Sequence, residues 1–174
     1  MLSGMLEQVF LMEIVSSGLP THVILGLGGW MTFTAMGVSY RLLSMFMLAP
    51  EPAKRTTPLD LAAGVSALTF LAFVTVFTIW GYDRIDIALM VALTLGVTSI
   101  GLYVHDVHSI YGQRKRKNIE LNSAASVPAF AAMLISLPVA IALPWVGATD
   151  GVVAALVYVF TFGWLTGLSL AQLY

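Results

Sequence analysis

Five stretches of this chain, at about 22–48, 60–80, 85–110, 125–146 and 151–174, run almost without charge. Each has the roughly 20 mostly apolar residues needed to cross about 30 Å of hydrocarbon. The chain is 59% hydrophobic and 10% charged, against roughly 25% charged residues in soluble domains. So little polar surface cannot cover an apolar core in water, so the solvent is lipid, in which a helix satisfies its own backbone. The sequence predicts an all-α, polytopic transmembrane helix bundle of about five spans over residues 21–174. A short amphipathic or partial helix over residues 1–20 precedes it.

The start of the chain does not read as a signal peptide, because it has no basic opening region and Glu7 and Glu13 interrupt its apolar run. Leu2, Met5, Leu6, Val9 and Phe10 can share one helical face. Two readings stand: an interfacial helix, or the tail of a helix whose beginning is missing. Ser16-Ser17-Gly18-Leu19-Pro20 is expected to break the chain, with Thr21 capping the next helix. Asp60, after Pro58-Leu59, is placed to meet the dipole at the start of the second span. The short connections Gly81–Arg84 and Gly147–Asp150 make the helices they join antiparallel neighbours. Pro138 is expected to kink the fourth span, and no repeat is visible.

Charge sets the orientation. Arg41, Lys54, Arg55, Arg114, Lys115, Arg116 and Lys117, seven of the eight basic residues, fall on one side and leave Arg84 alone on the other. The positive-inside rule places the amino terminus outside and the carboxyl terminus in the cytoplasm. The Arg114–Lys117 run reads as a topology determinant or as a site for anionic lipid or a partner.

Few residues could carry chemistry. His22 opens the first span, and Gly26, Gly29, Phe33, Gly37 and Tyr40 follow it at three- and four-residue spacing, where a helix or a flat ligand can approach closely. Imidazole ligates haem iron and copper, so His22 reads as an axial ligand or as an interfacial hydrogen-bonding histidine. Arg41 lies about 28 Å further along the helix, where it can snorkel to phosphates or meet a carboxylate or a cofactor propionate. Tyr40 beside it can anchor the interface. His105 and His108 are spaced to bind one metal, and a wetted helix end explains them as well. With the orientation above, His22 and His105 lie at opposite membrane faces and cannot flank one iron.

Whole classes fall away. The chain has no cysteine, which removes disulfides, thiolate metal sites and thiol catalysis. It shows no nucleophile–base arrangement, no phosphate-binding glycine loop and no paired carboxylates inside the membrane. A net charge of -1 gives no footprint for nucleic acid. Gly163-Trp164-Leu165-Thr166-Gly167 is a small-xxx-small packing face, and Ser66, Thr69, Thr75 and Thr78 can bond across helices or back to their own turn.

The segment His22–Pro50, HVILGLGGWMTFTAMGVSYRLLSMFMLAP, resembles the H-x-x-L-G-x-x-G-W…G-x-x-Y-R-L-L-P-M-F segment of bacterial membrane proteins similar to haem–copper oxidase subunit I. That group borders the nitric-oxide-response membrane proteins. The basic run with Glu120-Leu121-Asn122 and the ending Gly163-Trp164-Leu165-Thr166…Leu173-Tyr174 resemble its later parts. The resemblance implies a respiratory, electron-transferring protein of the bacterial cytoplasmic membrane that binds haem or copper. His22 would be the ligand, with Tyr40 and Arg41 beside the cofactor. Ser44 stands where the group has proline, and Gln172 where it has a histidine. Members of the group are about twice as long, so the resemblance implies a truncated or split member that assembles with another membrane subunit or with itself. The other reading, from a different class, is a membrane scaffold, assembly or solute-passage protein without cofactor.

Overall fold

The computed structural model describes residues 11–12, 14–50, 56–82, 86–146 and 149–173, which hold helices and no strand. Five helices are long and apolar enough to cross a membrane: α1 (Ile14–Met47), α2 (Thr56–Ile79), α3 (Ile87–Gly112), α4 (Leu121–Ala142) and α5 (Gly151–Leu173). The fold is the expected all-α polytopic bundle. Large apolar side chains such as Phe73, Ile87, Ile135 and Leu170 face outward, as they can where lipid tails are as apolar as they are. Glu7, Glu13, Lys54, Arg55, Asp83 and Arg84 lie outside the described residues.

α1 departs from expectation. The Ser16–Pro20 segment does not break the chain, and Thr21 caps nothing. A π-turn (Ile14–Gly18) leads through an α-turn (Leu19–Val23) into a second π-segment (Ile24–Met31) and then α-helix (Thr32–Met47). Pro20 brings no N–H and crowds the carbonyl four residues back. A wider i→i−5 turn just before it leaves that carbonyl room. The described part of the expected short N-terminal helix therefore continues into the first span.

A third π-segment, Val159–Thr166, lies in α5. Such turns are rare and tend to mark functional positions. Two of the three carry the same tetrapeptide pattern, Gly29-Trp30-Met31-Thr32 and Gly163-Trp164-Leu165-Thr166. That recurrence is a signal the sequence reading passed over. In the first, the Thr32 hydroxyl donates to the Leu27 carbonyl at 2.7 Å, five residues back. The tryptophans differ: Trp30 is 79% exposed and Trp164 is 0% exposed.

Two helix ends are closed by one device. At α2, Gly81 adopts φ +82°, its N–H meets the Thr78 carbonyl and the Tyr82 N–H meets the Phe77 carbonyl, both at 3.0 Å. The Tyr82 ring lies edge-on to Phe77, 5.6 Å between centroids, the contact that accompanies a Schellman end. At α1 the Leu48 and Ala49 N–H groups meet the Met45 and Ser44 carbonyls. There a leucine takes the left-handed position, with φ 51°.

The chain forms two compact units, Met1–Phe33 with Lys54–His105 and Thr34–Ala53 with Asp106–Tyr174. In the first, the hydroxyls of Thr21 and Thr75 share a 2.6 Å hydrogen bond. Gly29 lies so close to Leu68 that a Cβ there would come within 2.9 Å of its Cδ1. Thr69, Thr75 and Thr78 also donate back to the carbonyls of Val65, Leu71 and Val74. In the second, the small face of α5 meets alanines of α4. A Cβ at Gly163 would stand 2.8 Å from that of Ala132, and one at Gly167 3.5 Å from that of Ala129. Trp164 packs on Phe130 with 5.6 Å between ring centroids, and α4 is helical through Pro128 and Pro138.

Candidate functional site

Among the described residues each compact unit buries one carboxylate, Asp60 in the first and Asp106 in the second. Asp60 does not sit in the first turn of α2, which begins at Thr56 and has no acidic residue there. It is 3% exposed and accepts a 2.6 Å hydrogen bond from the Ser99 hydroxyl of α3. The reading of Asp60 as a partner of the dipole at the helix start is thus corrected: it is buried and bonded to α3. Gly64, one turn further along α2, makes this possible. A Cβ there would run into the Phe33 ring and stand 2.8 Å from Ser99 Oγ, so only glycine lets α3 bring its serine to the carboxylate.

Asp106 is the second. It is 3% exposed, and the Tyr40 hydroxyl points at its Oδ2 from 3.4 Å. Tyr40 is 8% exposed, so it is a buried donor and not an interface anchor. The spacing of buried residues on α3, Ser99, Tyr103, Asp106, Val107 and Ile110, is that of one helical face. In the sequence Ser99, Tyr103, Asp106 and Ile110 recur at three- and four-residue spacing, with His105 and His108 on either side of Asp106. Other buried hydroxyls turn back on their own helices: Ser39 to the Met36 carbonyl, Ser126 to that of Asn122, Ser136 to that of Met133.

The residues singled out as cofactor ligands are arranged differently. His22, Arg41, His105 and His108 are all exposed. Among the described residues no three His, Cys, Asp or Glu side chains converge as a metal site would need. Thr21, next to His22, pairs with Thr75 near the end of α2 that leads through residues 80–85 to the start of α3. His105 lies toward the other end of α3, about 27 Å from its first residue. The stripe Gly26, Gly29, Phe33, Gly37 and Tyr40 does not stay on one face. Gly29 and Tyr40 are buried, whereas Gly26 and Gly37 are exposed. None of the three histidines is buried in its unit.

Comparisons with protein-family models, with curated proteins and with solved structures return no match to the chain. The resemblance to the oxidase group therefore rests on the residues quoted above.

Proposed function

We propose that the chain is a cofactor-free polytopic membrane protein whose bundle serves the passage of a small cationic solute or protons. One observation carries this reading: Asp60 and Asp106 are buried inside membrane-length helices and are met by hydroxyl donors of the chain itself. Carboxylates are costly in a bilayer and occur there chiefly on ion and proton paths. Hydroxyl partners can stabilise either protonation state, since a hydroxyl both donates and accepts. The charge distribution supports an orientation with the amino terminus outside, and the resemblance to the oxidase group supports a bacterial cytoplasmic membrane. The test is an imposed pH gradient across proteoliposomes. Wild-type protein is expected to dissipate it faster than protein-free vesicles, and Asp106→Asn to return the rate to theirs. Equal rates for wild-type and empty vesicles would leave assembly as the function of the bundle.

A second reading keeps the haem or copper, held between this chain and another subunit. It is favoured by the outward-facing His22 with Gly26 one turn away, where a Cβ would meet nothing within 4 Å. On that reading a purified chain without its partner binds cofactor weakly, and the partner restores it.

A further inference from the structure

We propose that the loop between α3 and α4 is a built binding site for the phosphate of an anionic phospholipid headgroup, with the Lys115 and Lys117 ammonium groups as its ligands. Residues 113–119 are exposed and lie just past the end of α3. Four consecutive cations at a helix end would ordinarily be explained by orientation during insertion alone. The structure sorts them into two kinds.

Arg114 donates through Nη1 to the Tyr111 carbonyl at 2.7 Å, closing the last turn of α3. Arg116 is ion-paired with Glu120, four residues on. Each of these two guanidinium groups thus has a contact within the loop. The Lys115 backbone N–H donates to the Met47 carbonyl at 3.2 Å, which ties the middle of the loop to the end of α1. The Tyr111 hydroxyl reaches the Ser123 carbonyl at 2.6 Å, fixing the start of α4 to the end of α3. The loop is thus tied at its middle and braced on both sides.

What remains are the ammonium groups of Lys115 and Lys117, which have no partner among the described residues. They are two residues apart in non-helical chain. The one carboxylate of the loop, Glu120, is occupied by Arg116, so nothing in the loop neutralises them. A pair of uncommitted cations on a braced loop, at the level where membrane helices end, meets the phosphates of a leaflet. Anionic headgroups attract such cations far more strongly than zwitterionic ones, about fivefold in affinity for each lysine and about 25-fold for two. Arg41, near the same end of α1, stands outside the proposed ligand set.

The test uses the full chain, purified in a neutral detergent, so that insertion is already complete and orientation cannot change. Its thermal midpoint is followed while phosphatidylglycerol, phosphatidylcholine or inorganic phosphate is added at equal phosphate concentration. Phosphatidylglycerol should raise the midpoint by about 5 °C near saturation, and phosphatidylcholine should not. The gain should shrink as salt rises from about 0.05 to 0.5 M. The double variant Lys115→Gln/Lys117→Gln should need about 25-fold more phosphatidylglycerol for the same gain, and Lys115→Arg/Lys117→Arg should behave as wild type. Equal gains from both lipids, or a double variant that responds as wild type does, would overturn the proposal. A gain reproduced by inorganic phosphate alone would overturn the lipid assignment. Should the glutamine variant not fold, the lipid comparison and salt titration on wild-type protein still decide.

Discussion

Gly64→Ala should destabilise the bundle through one hydrogen bond. The new methyl would sit 2.6 Å from Phe33 Cε1 and 2.8 Å from Ser99 Oγ, both well inside ordinary contact. Overpacking of this kind costs about 1–3 kcal/mol. If Ser99 yields, its 2.6 Å bond to the buried Asp60 is lost, and a bond to a charged group is worth about 1.5–3 kcal/mol. Alanine's better helix propensity returns about 1 kcal/mol. The net expectation is a loss of about 2–4 kcal/mol. Ser99→Ala alone should cost about 1.5–3 kcal/mol by removing the same bond. Because Ser99→Ala also removes the oxygen that the new methyl meets, the two changes share a cause. The double variant should therefore be less destabilised than the sum by at least 1 kcal/mol or so. The assay is reversible unfolding in mixed micelles followed by circular dichroism, on wild type, both single variants and the double. Additive losses, or a Gly64→Ala variant within about 0.5 kcal/mol of wild type, would refute the claim that glycine is required to seat Ser99 on Asp60.

Further outcomes follow from the same structure. Leu48→Gly should stabilise by up to about 1 kcal/mol, since a left-handed non-glycine residue stores about that much strain, while Gly81→Ala should cost about 1–2 kcal/mol at the matching position of α2. Tyr40→Phe should cost only about 0.5–1 kcal/mol, because its bond to Asp106 is long at 3.4 Å. Gly163→Ala should cost about 1–3 kcal/mol by forcing α5 off Ala132 of α4. All four are read from unfolding midpoints in the same micelles. The chain has no cysteine, so Asn118→Cys can be labelled without background. The orientation proposed here requires labelling from the cytoplasmic side only.

The architecture was legible because lipid imposes it: runs of about 20 apolar residues have one secondary structure available to them. The small face of α5 was legible for a similar reason, since Gly163 and Gly167 are four apart and any helix brings them together. What escaped the reading has local physical causes. Ser16–Pro20 contains every signal of a helix break, yet a π-turn accommodates Pro20, and propensity does not report that option. The stripe from Gly26 to Tyr40 is divided as well: Gly29 and Tyr40 are buried, while Gly26 and Gly37 are exposed. Asp60 was assigned to a helix start because charge near Pro58 ordinarily marks one, but α2 begins at Thr56 and carries Asp60 inside. Its partner, Ser99, is 39 residues away in sequence, a pairing that no spacing rule contains.

The central claim is that this bundle is complete without a cofactor, and visible absorption tests it most directly. Detergent-purified protein, expressed with ample haem, would be scanned oxidised and dithionite-reduced, with metal analysis on the same sample. The account predicts no Soret band and no stoichiometric metal, with the bundle folded as judged by circular dichroism. A Soret band that shifts on reduction and is lost in His22→Ala would contradict it and return His22 to the role of ligand.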